Sequence, residues 1–106
     1  MGNTTKEFDD ISHDDIVYLA GIFSVAGNVC IKKMNHKDTL HLSIQSKNRV
    51  VIERIARMFK TKVSVVGLNG NRAILVGSNA RAMLDILLPY MDKETANRVI
   101  LTIKLS

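Results

Sequence analysis

At 106 residues the chain has the length of one domain, able to bury about two-thirds of the surface that it exposes unfolded. With 46% hydrophobic and 24% charged residues, it has an ordinary soluble composition. Fifteen Lys and Arg against ten Asp and Glu leave +5 and a pI near 9.6, a balance that either favours a polyanion such as nucleic acid or serves solubility alone.

The single cysteine, Cys30, rules out an internal disulfide and a cysteine metal cluster. It implies a reducing, intracellular compartment, cytoplasmic or nucleoid-associated. No apolar run approaches the ~20 residues of a membrane span. The polar, acidic start carries no secretory signal. Trp is absent and aromatics make up 5%, so base stacking on an aromatic platform is not suggested.

Residues 1–12, with Gly2, Asn3 and two threonines, read as a flexible tail before a single domain over 13–106. Ser12 stands three residues before Asp15, a capping-box spacing that predicts a helix over 13–25. Asp14 and Asp15 suit its positive end. Ile16, Leu19, Ala20 and Phe23 make one stripe; Val17, Gly21, Ser24 and Val25 make a second. A helix apolar on every side must be covered on every side, so this one is the centre of a core or the seam between two subunits. Gly21 costs ~1 kcal/mol relative to Ala in mid-helix, which implies a packing reason for it. Gly27 ends the helix and is expected in the left-handed conformation.

The period then changes to two. Over 28–34, Val29 and Ile31 point one way and Asn28, Cys30, Lys32 and Met34 the other. Asn35-His36-Lys37-Asp38 is turn chemistry. From Thr39 to Ser46, Leu40, Leu42 and Ile44 alternate with His41, Ser43 and Gln45. This is a hairpin with one buried face and one polar, partly basic face.

A second helix over 48–59 buries Ile52, Ile55, Ala56 and Phe59, with Arg49, Glu53 and Arg57 at i, i+4 spacing toward solvent. Lys62–Leu68 and Arg72–Val76 form a second hairpin around Asn69-Gly70-Asn71. Val63 and Val65 look buried, yet Val66, Ile74 and Val76 make its other face more apolar than that of the first hairpin. Ser78 or Asn79 caps a third helix over 79–88, with Met83, Ile86 and Leu87 inward, and Pro89 marks the break. Asp92 caps a fourth helix over 93–105 whose stripe is Ala96, Val99, Ile100 and Ile103. The order α-β-β-α-β-β-α-α predicts an α+β fold: one four-stranded, mainly antiparallel sheet with helices on one face and the other face open.

No constellation carries chemistry. His13, His36 and His41 stand apart, without metal-ligand spacing. Gly67, Gly70 and Gly77 belong to turns rather than a phosphate-binding loop. No nucleophile has an evident base, and neither cofactor nor metal is expected.

The stretch Tyr18–Val29, YLAGIFSVAGNV, resembles the LAGLIDADG motif of homing endonucleases and their intron-maturase relatives. Leu19-Ala20-Gly21 matches its first three letters and Gly27 its last. Leu42–Asn48 resembles that family's strand-to-helix step, and Ile86–Tyr90 with Lys93, Ala96 and Asn97 its C-terminal segment. The resemblance implies that single-motif chains pair as homodimers, with the motif helices at the seam (here Leu19, Ala20, Gly21, Phe23 and Ser24). It also implies that two sheets form a saddle along the DNA major groove. Asn28, Lys32, His41, Ser43, Gln45, Lys62, Ser64 and Arg72 would then face the DNA. Lys and Arg would reach phosphates and guanine edges, and Gln and Asn would read adenine.

The departure from the motif matters as much. The acid that binds the divalent metal in those nucleases is here Ala26, and the earlier acidic position is Ser24. A methyl group cannot ligate a hard cation. The expectation is a catalytically inactive homodimer that binds double-stranded DNA, regulatory or a mobile-element remnant. The alternatives are a protein-interaction module (an inhibitor or adaptor, for instance phage-encoded), favoured by Val66, Ile74 and Val76, and an RNA-binding, maturase-like protein.

Overall fold

A computed structural model describes residues 8, 10–68 and 70–105. The elements follow the expected order: α1 (His13–Ala26), β1 (Gly27–Met34), β2 (Lys37–Ser46), α2 (Arg49–Phe59), β3 (Ser64–Val66), β4 (Gly70–Val76), α3 (Gly77–Leu87), a 3-10 turn (Leu88–Tyr90) and α4 (Lys93–Leu105). The strands form one antiparallel sheet in the order β1-β2-β4-β3. Of the segment before the first helix, Phe8 is buried in the core and Ile11 packs against it, so neither hangs free as a tail. Residues 1–7 and 9 of the expected tail lie outside the described residues.

Local chemistry sets most boundaries. The Ser12 hydroxyl accepts the Asp15 backbone N–H at 3.2 Å, and the Asn48 side chain accepts that of Val51 at 3.2 Å. The Asp92 carboxylate accepts from Thr95 twice, from the backbone N–H at 3.0 Å and from the hydroxyl at 2.6 Å. Each of the three backbone bonds satisfies a donor that a helix start leaves open. Between β1 and β2 only Asn35 and His36 turn the chain, both at positive φ (52° and 67°), which suits a two-residue hairpin loop.

The second α-β-β unit departs from expectation in three places. β3 has three residues rather than seven, because Gly67 at φ +63° takes the chain out of the strand. Val65 on this short edge is 71% exposed instead of buried, since no element covers it. β4 runs directly into α3 through Gly77 at φ +62°, so Ser78 and Asn79 lie inside the first turn instead of capping it. In α4, Thr95 and Val99 are the buried residues, and Ile100 is turned outward.

Leu40, Leu42 and Ile44 of β2 and Ala73 and Leu75 of β4 meet the buried stripes of the helices on one face of the sheet. α2 packs on β4, α3 on β2 and α4 on β1. Phe23, Phe59, Ile52, Ile55, Met83 and Leu84 fill the layer between. α1 is tied to α2 by Asp15, whose carboxylate accepts from the Arg54 guanidinium at 2.9 Å; the same guanidinium lies 3.8 Å over the Tyr18 ring.

α1 is covered on one side only. Leu19, Ala20 and Phe23 are fully buried, but Val17, Gly21, Ser24 and Val25 face outward, Val25 at 89% exposure. Gly27 is extended (φ −84°, ψ 154°) rather than left-handed. Its requirement for glycine is one of space: a Cβ there would run into the Phe23 ring.

Candidate nucleic-acid interface

In register, neighbours across a sheet share a face. The face turned away from the helices therefore carries the even-numbered residues of β1, β3 and β4 and the odd-numbered ones of β2. Three rows cross it. Cys30, His41 and Val76 form one, Asn28, Ser43 and Ile74 the next, and Gln45, Arg72 and Ser64 the third. Lys32 pairs with Thr39 and Met34 with Lys37 beyond them. Of the eight residues expected on this face, seven stand at such positions. Lys62 does not: it is exposed in the connection ahead of β3.

The chemistry of the face is one-sided. Lys32, Lys37 and Arg72 carry positive charge, and none of these strand positions holds a carboxylate. His41 shows the effect. Partial burial and the charges of Lys32 and Arg72 push its pKa below the usual 6.5, so the ring is neutral at neutral pH. Its Nε2 lies 3.2 Å from Met34 Sδ. Among the described residues, His41 Nδ1 and Arg72 Nε have no hydrogen-bond partner. An anion laid on this face would relieve the mutual repulsion of these cations.

The five residues expected at a subunit seam divide between two places. Leu19, Ala20 and Phe23 lie within the protomer's own core and are 0%, 1% and 0% exposed, out of reach of any partner. Gly21 and Ser24 lie on the free side of α1 with Val17 and Val25. Among the described residues, nothing stands within 4 Å of a Cβ placed on Gly21.

The end of α1 offers little to a metal ion. Ala26 is half-buried against the core. The Ser24 hydroxyl donates to Ala20 O at 3.1 Å and approaches Asp92 Oδ1 at 3.4 Å. Hydrogen bonds from Thr95, more than that from Ser24, hold the Asp92 carboxyl below its usual pKa. Among the described residues, no group of three or more His, Cys, Asp or Glu is placed to hold a metal. One carboxylate already occupied as a helix cap does not fit the oxygen-rich shell of a divalent cation.

Solved structures share this architecture. The homing endonuclease I-CvuI, in complex with its target, superposes with a TM-score of 0.64 at 18% identity over 81% of this chain. The LAGLIDADG meganuclease I-AabMI, bound to uncleaved DNA, gives 0.53 at 22% identity over 71%. The homing endonuclease I-TnaI gives 0.55 at 9% identity over 88%. This chain has a LAGLIDADG-like fold. It spans 62% of the I-CvuI chain, 28% of I-AabMI and 66% of I-TnaI. No family model matches the sequence, and no curated protein does.

Within the LAGLIDADG-like fold, sequence reasoning missed several participants. Lys37 joins the open face because β2 begins there, inside the expected turn, and Thr39 follows from the alternation that places His41 and Ser43. Cys30 stands on this face where the alternation of β1 puts it, between Asn28 and Lys32, though it was not among the eight expected contacts. The approach of Asp92 to Ser24 spans 68 residues of sequence and has no local signal.

Proposed function

We propose that this chain is a cleavage-incompetent, double-stranded-DNA-binding protein that pairs with a second copy along the free side of α1. The observation that carries the reading is the open face of the sheet, with Lys32, Lys37 and Arg72 and no carboxylate at its strand positions. Its polar residues Asn28, Ser43, Gln45 and Ser64 have the donors and acceptors that read base edges. Lys62, beside β3, adds a phosphate contact. DNA in the structures of I-CvuI and I-AabMI supports the assignment of partner.

Pairing is supported by the surface of α1. Val17, Gly21, Ser24 and Val25 line one side of a helix whose other side is core, and Gly21 lets a second backbone approach. Two copies would give a saddle of two sheets. Loss of cleavage follows from Ala26 and Ser24, which put a methyl and a hydroxyl where the resembling motif has acids. The role is regulatory or that of a mobile-element remnant, in an intracellular, cytoplasmic or nucleoid-associated setting.

Fluorescence anisotropy on mixed-sequence duplexes at two salt concentrations tests the binding. Affinity that falls steeply with salt is expected, and no binding at low ionic strength would overturn the reading. Mg²⁺-dependent nicking by the purified protein would overturn the loss of cleavage.

A second reading, a protein-interaction module, is favoured by Val66, Ile74 and Val76 on the same face. Pull-down from nuclease-treated lysate separates the two. RNA binding has less support, because no Phe, Tyr or Trp stands at any strand position of this face to stack an unpaired base.

A further inference from the structure

Apart from Val66 of β3 and Met34 of β1, two adjoining apolar side chains of β4 stand on the open face and need an occupant. Ile74 is half-buried, and Val76 is 38% exposed. They follow Arg72 along β4, two residues apart, on the open face. Their cross-strand partners are polar: Ser43 faces Ile74, His41 faces Val76, and Gln45 faces Arg72. The patch is thus one column of two side chains edged by hydrogen-bonding groups. It lacks the aromatic anchors that dominate protein–protein hot spots. Its flanking charges are cationic.

In the major groove, the apolar feature that a base pair presents is a pyrimidine C5-methyl group. Alternate residues of a strand stand about 6.8 Å apart, and base pairs rise about 3.4 Å, so a strand lying along the groove addresses every second pair. Resting on the DNA-binding reading above, we propose that Ile74 and Val76 read pyrimidine C5-methyl groups about two base pairs apart in each half-site. Arg72 sets the position one step before them, where its guanidinium favours guanine. The target class is duplex DNA carrying thymine, or 5-methylcytosine, at those two positions.

The test begins with selection of bound duplexes from a random-sequence pool by the full chain. In the selected duplex, each thymine is replaced singly by uracil, which removes the methyl and nothing else. Two positions per half-site should each lose about fourfold in affinity, the worth of one buried methyl. Ile74→Ala and Val76→Ala should each abolish the discrimination at one of those positions, leaving uracil and thymine equal there. Replacing the base pair by 5-methylcytosine–guanine distinguishes the sources. Recovery relative to unmethylated cytosine assigns the contact to the methyl of either base; binding restored by thymine alone assigns thymine.

A retained duplex that binds equally well with uracil throughout overturns this inference and leaves the DNA reading intact. Thymine discrimination that survives in the Ile74→Ala, Val76→Ala double variant overturns the assignment to these residues. A pool from which no duplex is retained overturns the DNA reading itself. The uracil arm needs no variant, so it stands even where a substitution impairs folding.

Discussion

The ring of Phe23 occupies the space that a side chain on Gly27 would need. Phe23 is fully buried beneath the sheet, and Gly27 is where α1 turns into β1 without a loop. Glycine at this position therefore lets helix and strand join at close quarters. Its backbone angles are open to any residue.

Gly27→Ala should destabilise the protein by about 1–3 kcal/mol, the usual cost of forcing an extra carbon into a packed core. Urea denaturation followed by circular dichroism reads it as a lower midpoint at unchanged slope. Phe23→Leu creates space at the same point, so the double variant should lose less than the sum of the two single ones. Strict additivity would show that ring and glycine do not compete.

Gly21 lies six residues earlier and should behave in the opposite way. A methyl added there meets nothing within 4 Å among the described residues. Gly21→Ala should raise protomer stability by about 0.5–1 kcal/mol through helix propensity alone. If the free side of α1 is the seam, the same methyl holds two backbones apart and weakens dimerisation. Val17→Lys and Val25→Lys should weaken it further by placing cations at the seam. Sedimentation equilibrium over a dilution series measures both effects. An unchanged self-association constant in all three variants would remove α1 from the interface.

His41 gives a pH prediction with a definite sign. Its pKa in the folded protein is pushed below 6.5 by burial and by the charges of Lys32 and Arg72. The folded state therefore binds a proton less readily than the unfolded chain, so stability declines as pH falls below about 6.5. DNA phosphates across the face would offset those cations and raise the His41 pKa, so duplex binding should take up protons and tighten as pH falls through the same region. NMR titration of the imidazole with and without duplex checks the direction. Lys32→Gln should raise the free-protein value toward 6.5, and His41→Gln should flatten the pH dependence of binding.

These outcomes turn on what was legible in the residues. Ser12, Asn48 and Asp92 announced three helix starts through short-range capping bonds that a single sequence displays. The alternation of Leu40, Leu42 and Ile44 with His41, Ser43 and Gln45 announced which side of β2 stays open. The covered side of α1 was not legible. Periodicity identifies a buried stripe by contrast with polar residues, and Val17, Gly21 and Val25 offer little contrast to Leu19, Ala20 and Phe23. The left-handed geometry expected of Gly27 was a local rule overridden by the sheet, since Gly27 already pairs with Ile44 as the first residue of β1. The bond of Ser24 to Asp92 depends on how the ends of α1 and α4 meet, which no local pattern encodes.

The charges of the open face can be counted by salt. Each Lys or Arg that neutralises a phosphate releases condensed counterions, so log affinity falls with log salt in proportion to the number of such contacts. Lys32→Gln should reduce the slope by about 1 and weaken binding to all duplexes alike, as loss of a phosphate contact does. Arg72→Gln should instead relax the preference for guanine at the base pair that it faces. Lys33 makes the control. It belongs to the same strand as Lys32 and is also exposed, but its register partner is Asp38 and it points to the other side of the sheet. Lys33→Gln removes the same unit of net charge, so a long-range effect would shift the slope equally in both lysine variants. A slope that drops for Lys32→Gln and not for Lys33→Gln places the DNA on the open face. Equal slopes would mean that only the net charge of +5 acts, with no face preferred.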